Sequence, residues 1–285
     1  MSSTTTKVLG GCAVGCVLVV LALGGLAWMG YRWGRTAADA VESAEHAEDR
    51  LEAEFGLTRE FTPPVDGRVS TERIEAFLTV RELMSPQRAE LSEAIAALAP
   101  TKGEGRTAGG LRAARAGISM APRLLEFVRA RNEALLEIGM GLGEYTWMYW
   151  LTYHAWLGHP VGESLLEDIM EARSKSDSPF QMHIGGMNTR QSTWQLRRDI
   201  QAMLQNLEAH LSADPGRVGL RETVAEELTA IEADPNRMPW EGGLPGAFTH
   251  GLEPYHDRLE ESYSPATNPF ELLELDSGAH GVTLE

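Results

Sequence analysis

From Val8 to Tyr31 the chain runs 24 residues without a charged side chain. At about 1.5 Å per helical residue the run reaches about 36 Å, enough to cross a hydrocarbon core of about 30 Å. Such a segment belongs in a bilayer, so the remainder must fold as a body carried at one end of it. Lys7 and Arg32 close the run, and Trp28, Tyr31 and Trp33 stand where interfacial aromatics usually sit. The expectation is a short tail over 1–7 and a transmembrane helix over 8–31 that holds the chain in the lipid bilayer.

A cleaved signal peptide fits less well, because its apolar core is only about 7 to 15 residues long. Leu9-Gly10-Gly11-Cys12 looks like a lipidation box, but its apolar run follows the cysteine instead of preceding it. Cys12 and Cys16 therefore read as small apolar residues within the span. Lys7 and the amino terminus nearly balance Arg32 and Arg35, so the positive-inside rule hardly orients the helix. No cysteine follows Cys16, which favours an oxidising compartment and a soluble part outside the cytoplasm.

The soluble part is acidic. Across the chain 25 Lys+Arg face 41 Asp+Glu, a formal charge of −16 that repels phosphate backbones, so nucleic acid is not an expected partner. Residues 32–55 read as a helical stalk in which Ala37, Ala40, Ala44, Ala47 and Leu51 form a heptad seam. Gly11 and Gly15 continue the same face into the membrane as a small-residue pair. The seam predicts a homodimer through this helix or, alternatively, a small face laid on the chain's own domain. Pro63-Pro64 and Asp66-Gly67 mark residues 56–70 as a hinge, followed by a globular domain over 71–273 and a tail over 274–285.

Within the domain the apolar spacing is helical throughout. Ile74, Phe77, Leu78 and Arg81 share one face of a helix from about Thr71 to Met84, and Ser85-Pro86 starts a second that runs to about Ala99. Further helices are expected over Leu111 to Met120, Pro122 to Ile138, Leu142 to Leu157 and Gly162 to Arg173, then a loop over 174–188. Ile200, Met203, Leu204, Leu207 and Leu211 form a regular stripe, with helices to follow at Val218 to Glu232 and Pro245 to Tyr263. No alternating β-branched run of strand length occurs. The fold class is all-α.

The segment richest in chemistry holds Tyr145, Tyr149 and Tyr153 at every fourth residue, with Trp147, Trp150 and His154 on other faces. A helix apolar and aromatic all round is expected in a core. The same residues, with Glu144, could instead line a pocket for an apolar ligand such as a lipid or quinone, His154 or Glu144 orienting it. The eight histidines supply a single Glu-x-x-His, Glu253 to His256, and no paired copy, so no metal or cofactor is expected. Gly139, Gly141 and Gly143 lack the preceding strand of a phosphate loop and read as a helix stop and restart. No nucleophile elbow or Walker loop occurs, and enzymatic activity is not expected.

The stretch from Leu259 through Ser262, Pro265, Asn268 and Pro269 to Leu272, with the Glu144-Tyr-Thr-Trp147 helix and the leading anchor, resembles single-pass bacterial membrane proteins of no assigned activity. The resemblance covers residues 70 to 273 in pattern and implies no activity and no site residue. In structural terms Pro265 and Pro269 should end a helix at Tyr263 and let Phe270 and Leu273 fold back as a clasp. Together these readings predict a bacterial, single-pass, cell-envelope protein. It should act as a binding scaffold with unidentified protein partners or, alternatively, as an apolar-ligand carrier or sensor.

Overall fold

Each apolar stripe of the domain finds another helix to cover it. The computed structural model describes residues 42–98, 106–161 and 189–274, and every regular element among them is helical. The expected transmembrane helix, the helix at 162–173, the loop at 174–188 and nearly all of the tail lie outside these residues. Among the described residues no helix is long and apolar enough to cross a membrane. The chain divides into two compact units, Met1–Ser43 and Ala44–Glu285.

Helix α1 is helical over 42–55, and its seam residues Ala44, Ala47 and Leu51 are buried within this one chain. Leu51 belongs to the main core. The stalk therefore joins the domain by its small face from residue 44 onward. The segment 56–70, expected as a hinge, is pinned as well. Its 3-10 turn Thr58–Glu60 lies against two helices, and Asn206 Nδ2 donates to the carbonyls of Arg59 and Phe61 at 3.0 and 3.2 Å. Its turn residues bend the chain without freeing it.

Helix α2 (Thr71–Leu83) starts on the Ser70 side chain, which accepts from the Arg73 amide. Met84 continues in helical conformation into α3 (Ser85–Ala96), so Ser85 lies inside α3 and does not cap it. Helix α4 (Arg106–Ile138) runs through Pro122, where the sequence predicts a break. Proline removes one bond from the ladder; α4 packs along α2 and α3, with Leu124, Phe127 and Val128 buried just beyond the proline.

Gly139 ends α4 at φ +71°, with the amides of Gly139 and Met140 returning to the carbonyls of Leu136 and Leu135. The chain restarts in α5 (Leu142–Tyr149), which continues as the π-wound α6 (Trp150–Trp156). Gly143 is small for another reason: a Cβ there would stand 2.6 Å from the Thr58 carbonyl oxygen and 2.7 Å from Phe61 Cβ. The glycines stop one helix and admit the 55–61 segment against the next.

Helix α7 (Thr189–Ser212) buries Ile200, Met203, Leu204, Leu207 and Leu211 and packs on α8 (Val218–Ala233). Five such side chains contribute roughly 1.5 to 3 kcal/mol each when removed from water. The helix expected over Pro245 to Tyr263 is instead three short pieces. Helix α9 (Gly246–Thr249), a 3-10 turn Glu253–Tyr255 and α10 (His256–Ser262) follow one another around Gly251 and Pro254. Gly251 lies so close to Val69 that a Cβ would come within 2.5 Å of its carbonyl oxygen, and Pro254 cannot donate to a continuous ladder.

Candidate functional site

The aromatic helix is a filled core. Tyr145, Trp147, Tyr149, Trp150 and Tyr153 are each at most 2 % exposed. Their rings occupy one another's space: Tyr149 meets Tyr153 at 4.7 Å between centroids, Phe77 meets Tyr145 at 5.3 Å, and Trp147 meets Trp240 at 5.5 Å. Glu144 stays near the surface and holds Arg73 through both carboxylate oxygens at 2.6 and 2.5 Å. Of the seven residues named for an apolar pocket, His154 borders a cavity, and the five aromatic ones are packed on one another.

What the tyrosines address is a buried charge, which the sequence places on the apolar face of α2 without explaining it. Arg81 is 1 % exposed, with its guanidinium 5.2 and 5.0 Å from the ring centres of Tyr149 and Tyr153. It donates to the Ser262 carbonyl and the Tyr145 hydroxyl, and pairs with Glu271 at 3.2 Å. The Glu271 carboxylate is wholly buried and also takes Arg88 at 3.1 Å, the Tyr145 hydroxyl at 2.9 Å and Thr267 at 3.1 Å. Burial pushes this carboxyl up, but Arg81 and Arg88 outweigh burial and hold it below the ordinary carboxylate value.

The same segment closes the fold. Tyr149 donates to Asn268 Oδ1 at 2.8 Å, and Tyr153 to Ser262 Oγ at 2.6 Å, since Ser262 gives its own proton to the Leu259 carbonyl. Arg131, also fully buried, donates to the Glu271 carbonyl at 3.0 Å. Residues 262–271 thus form a clasp, as the two prolines suggest, but its key is Glu271 as well as Phe270. With every oxygen of Glu271 engaged, this network holds structure.

An open site lies on the other side of the clasp. A cavity of about 80 Å³ is bordered by Thr146, His154, Asp199 and Asn268, with Leu196 and Leu272 among its apolar walls. A second chamber of about 300 Å³ adjoins it, sharing Thr58, Gln195, Asp199 and Glu274 and adding Glu52, Arg59, Trp194 and Arg198. Trp194 is 53 % exposed, one face covered by Arg198 at 4.6 Å.

Among the described residues, none of the charged groups lining the chamber makes an ion pair or side-chain hydrogen bond within it. Burial first, then the charge of Glu274, raises Asp199 to about 7, against the opposing pull of Arg198 and Arg59. Burial lowers His154 to about 4, so it is neutral at pH 7. Its Nδ1 lies 2.8 Å from the His159 carbonyl, which can only accept, so Nδ1 carries the proton and Nε2 is left as an acceptor. Thr146 is 3 % exposed and borders the smaller cavity. Among the described residues no three His, Cys, Asp or Glu side chains stand close enough to hold a metal ion. No family model, curated protein or solved structure matches this chain.

Proposed function

We propose that the chain is a membrane-anchored helical binding protein of the bacterial cell envelope, acting as a scaffold or accessory subunit for protein partners. The observation that carries this reading is the contrast between a filled aromatic core and an open, unpaired charged cleft. The residues suited to line a lipid or quinone pocket are spent on Arg81 and on each other. The cavity at His154 holds about 80 Å³, and the adjoining chamber of about 300 Å³ is lined mostly by charged and polar side chains, unlike the mostly apolar walls of a lipid or quinone site, which favours a polar partner over an apolar ligand. The anchoring rests on the charge-free run over 8–31, and the extracytoplasmic placement on the lack of cysteine beyond Cys16.

Affinity purification of the full chain from detergent, with identification of proteins and lipids alike, tests the reading. A protein partner recovered in stoichiometric amount supports it; one lipid or quinone per chain with no protein overturns it. Deleting residues 1–35 should leave the unit that begins at Ala44 intact and move it to the soluble fraction. Sedimentation of the truncated chain with membranes after alkaline washing would contradict the single anchor.

A further inference from the structure

We propose that the paired cavities around Asp199 bind a primary alkylammonium group, as carried by a lysine side chain, with the ammonium in the inner cavity and the methylene stem in the outer chamber. This rests on the reading of the chain as a binding protein and supplies the chemistry by which it would hold its partner. An ammonium has three donors and no acceptor. The inner cavity presents complementary groups: the Nε2 of His154 left as an acceptor, the Thr146 hydroxyl and the Asp199 carboxylate. About 80 Å³ admits such a head with its first methylenes, given the roughly 30 Å³ share of one water molecule.

Charge decides against an anion. Among the described residues, three carboxylates, Glu52, Asp199 and Glu274, face two arginines, Arg59 and Arg198, and the lining of the inner cavity includes no Lys or Arg. Trp194 offers the free remainder of its ring to the stem or to the charge. The raised position of Asp199 agrees: Glu274 disfavours its ionised form, and an arriving cation would favour it. Binding should therefore release a proton near neutral pH and weaken as pH falls below about 7, because a protonated Asp199 offers no charge. Among the described residues, the groups that face Asp199 in this titration are Glu274 just beyond the clasp, Glu52 from α1, Arg59 from the 3-10 turn, His154 from α6 and Arg198 from its own helix.

Isothermal calorimetry on the full-length chain in detergent tests this with three probes: Nα-acetyl-lysine-N-methylamide, n-butylamine, and the lysine amide acetylated at Nε. The first two should bind and the third should not. A tighter lysine amide assigns the site to a peptide side chain, and a tighter butylamine to a free amine. Runs at pH 7 in buffers of different ionisation heat should show release of about half a proton, a readout that needs no variant. Asp199→Asn, checked for folding by its melt, should weaken binding by at least about thirtyfold. Silence with both amines, equal binding of the Nε-acetylated probe, or affinity unchanged in Asp199→Asn would overturn the inference. A stoichiometric protein partner alongside silent amines would remove this inference and leave the scaffold reading standing; amine binding with no protein partner would do the reverse.

Discussion

Glu271 and Asp199 are two acidic side chains of one domain in opposite circumstances. Glu271 has no exposure and four partners; Asp199 is partly open and, among the described residues, has none. The first is held below the ordinary carboxylate value by arginines, and the second is lifted to about 7 by burial and a like charge. A buried charge whose lone pairs are all engaged belongs to the architecture, because nothing is left to offer a visitor. A charge left unpaired beside a cavity marks where the protein can still gain free energy by binding.

The largest expected effect breaks the structural side of this contrast. Trp150→Ala or Tyr149→Ala removes a filled position and should cost about 3 to 5 kcal/mol in denaturant melts. A loss under about 1 kcal/mol would mean that the aromatics line space after all. Next is Gly143→Ala, which forces a methyl against Thr58 and Phe61 and should cost about 1 to 3 kcal/mol. A neutral result would return the 56–70 segment to the status of a loose hinge.

A smaller effect lies in pH. Asp199 has a higher pKa folded, about 7, than its ordinary 3.8, so its contribution is complete below about 4 and lost as pH rises through 7. Glu271 runs the other way: its contribution is complete above its ordinary 4.5 and is lost on acidification through its lowered folded pKa. The stability difference between wild type and Asp199→Asn should therefore slope downward from pH 4 to 7 and be flat above. Solvent screening keeps it to about 1 kcal/mol or less, and a flat profile throughout would place Asp199 in ordinary surroundings. Smallest of all, Trp194→Ala should change stability by no more than about 0.5 kcal/mol, since so exposed a side chain holds little; a larger loss would make the cleft part of the core.

The helices were legible where apolar residues recur on one face, as Ile200 to Leu211 do, because burial of a stripe is a local requirement. What covers a stripe is not local. Ala44, Ala47 and Leu51 announce a buried face equally well for a second copy or for their own domain, and the structure buries them in the latter. Proline inside α4 misled for a related reason: the broken bond is local, while the packing on α2 and α3 that surrounds it comes from elsewhere in the chain.

The clasp was half legible. Pro265 and Pro269 mark the fold-back, and Arg81 among Ile74, Phe77 and Leu78 signals a charge that must find a partner. Its partner could not be read, since Glu271 reaches Arg88 across 183 positions and Tyr145 across 126. Asp199 gave no signal at all. It is one of 41 acidic residues, distinguished only by the neighbours that folding brings to it.

The most direct test sets Glu271→Gln beside Asp199→Asn in denaturant melts at pH 8. The amide at 271 leaves Arg81 buried without its countercharge and should cost about 3 to 5 kcal/mol. The amide at 199 removes an unpaired charge and should leave stability unchanged or slightly higher. Equal losses in the two variants, or a loss at 271 under about 1 kcal/mol, would contradict the division of this domain into a clasped core and an open site.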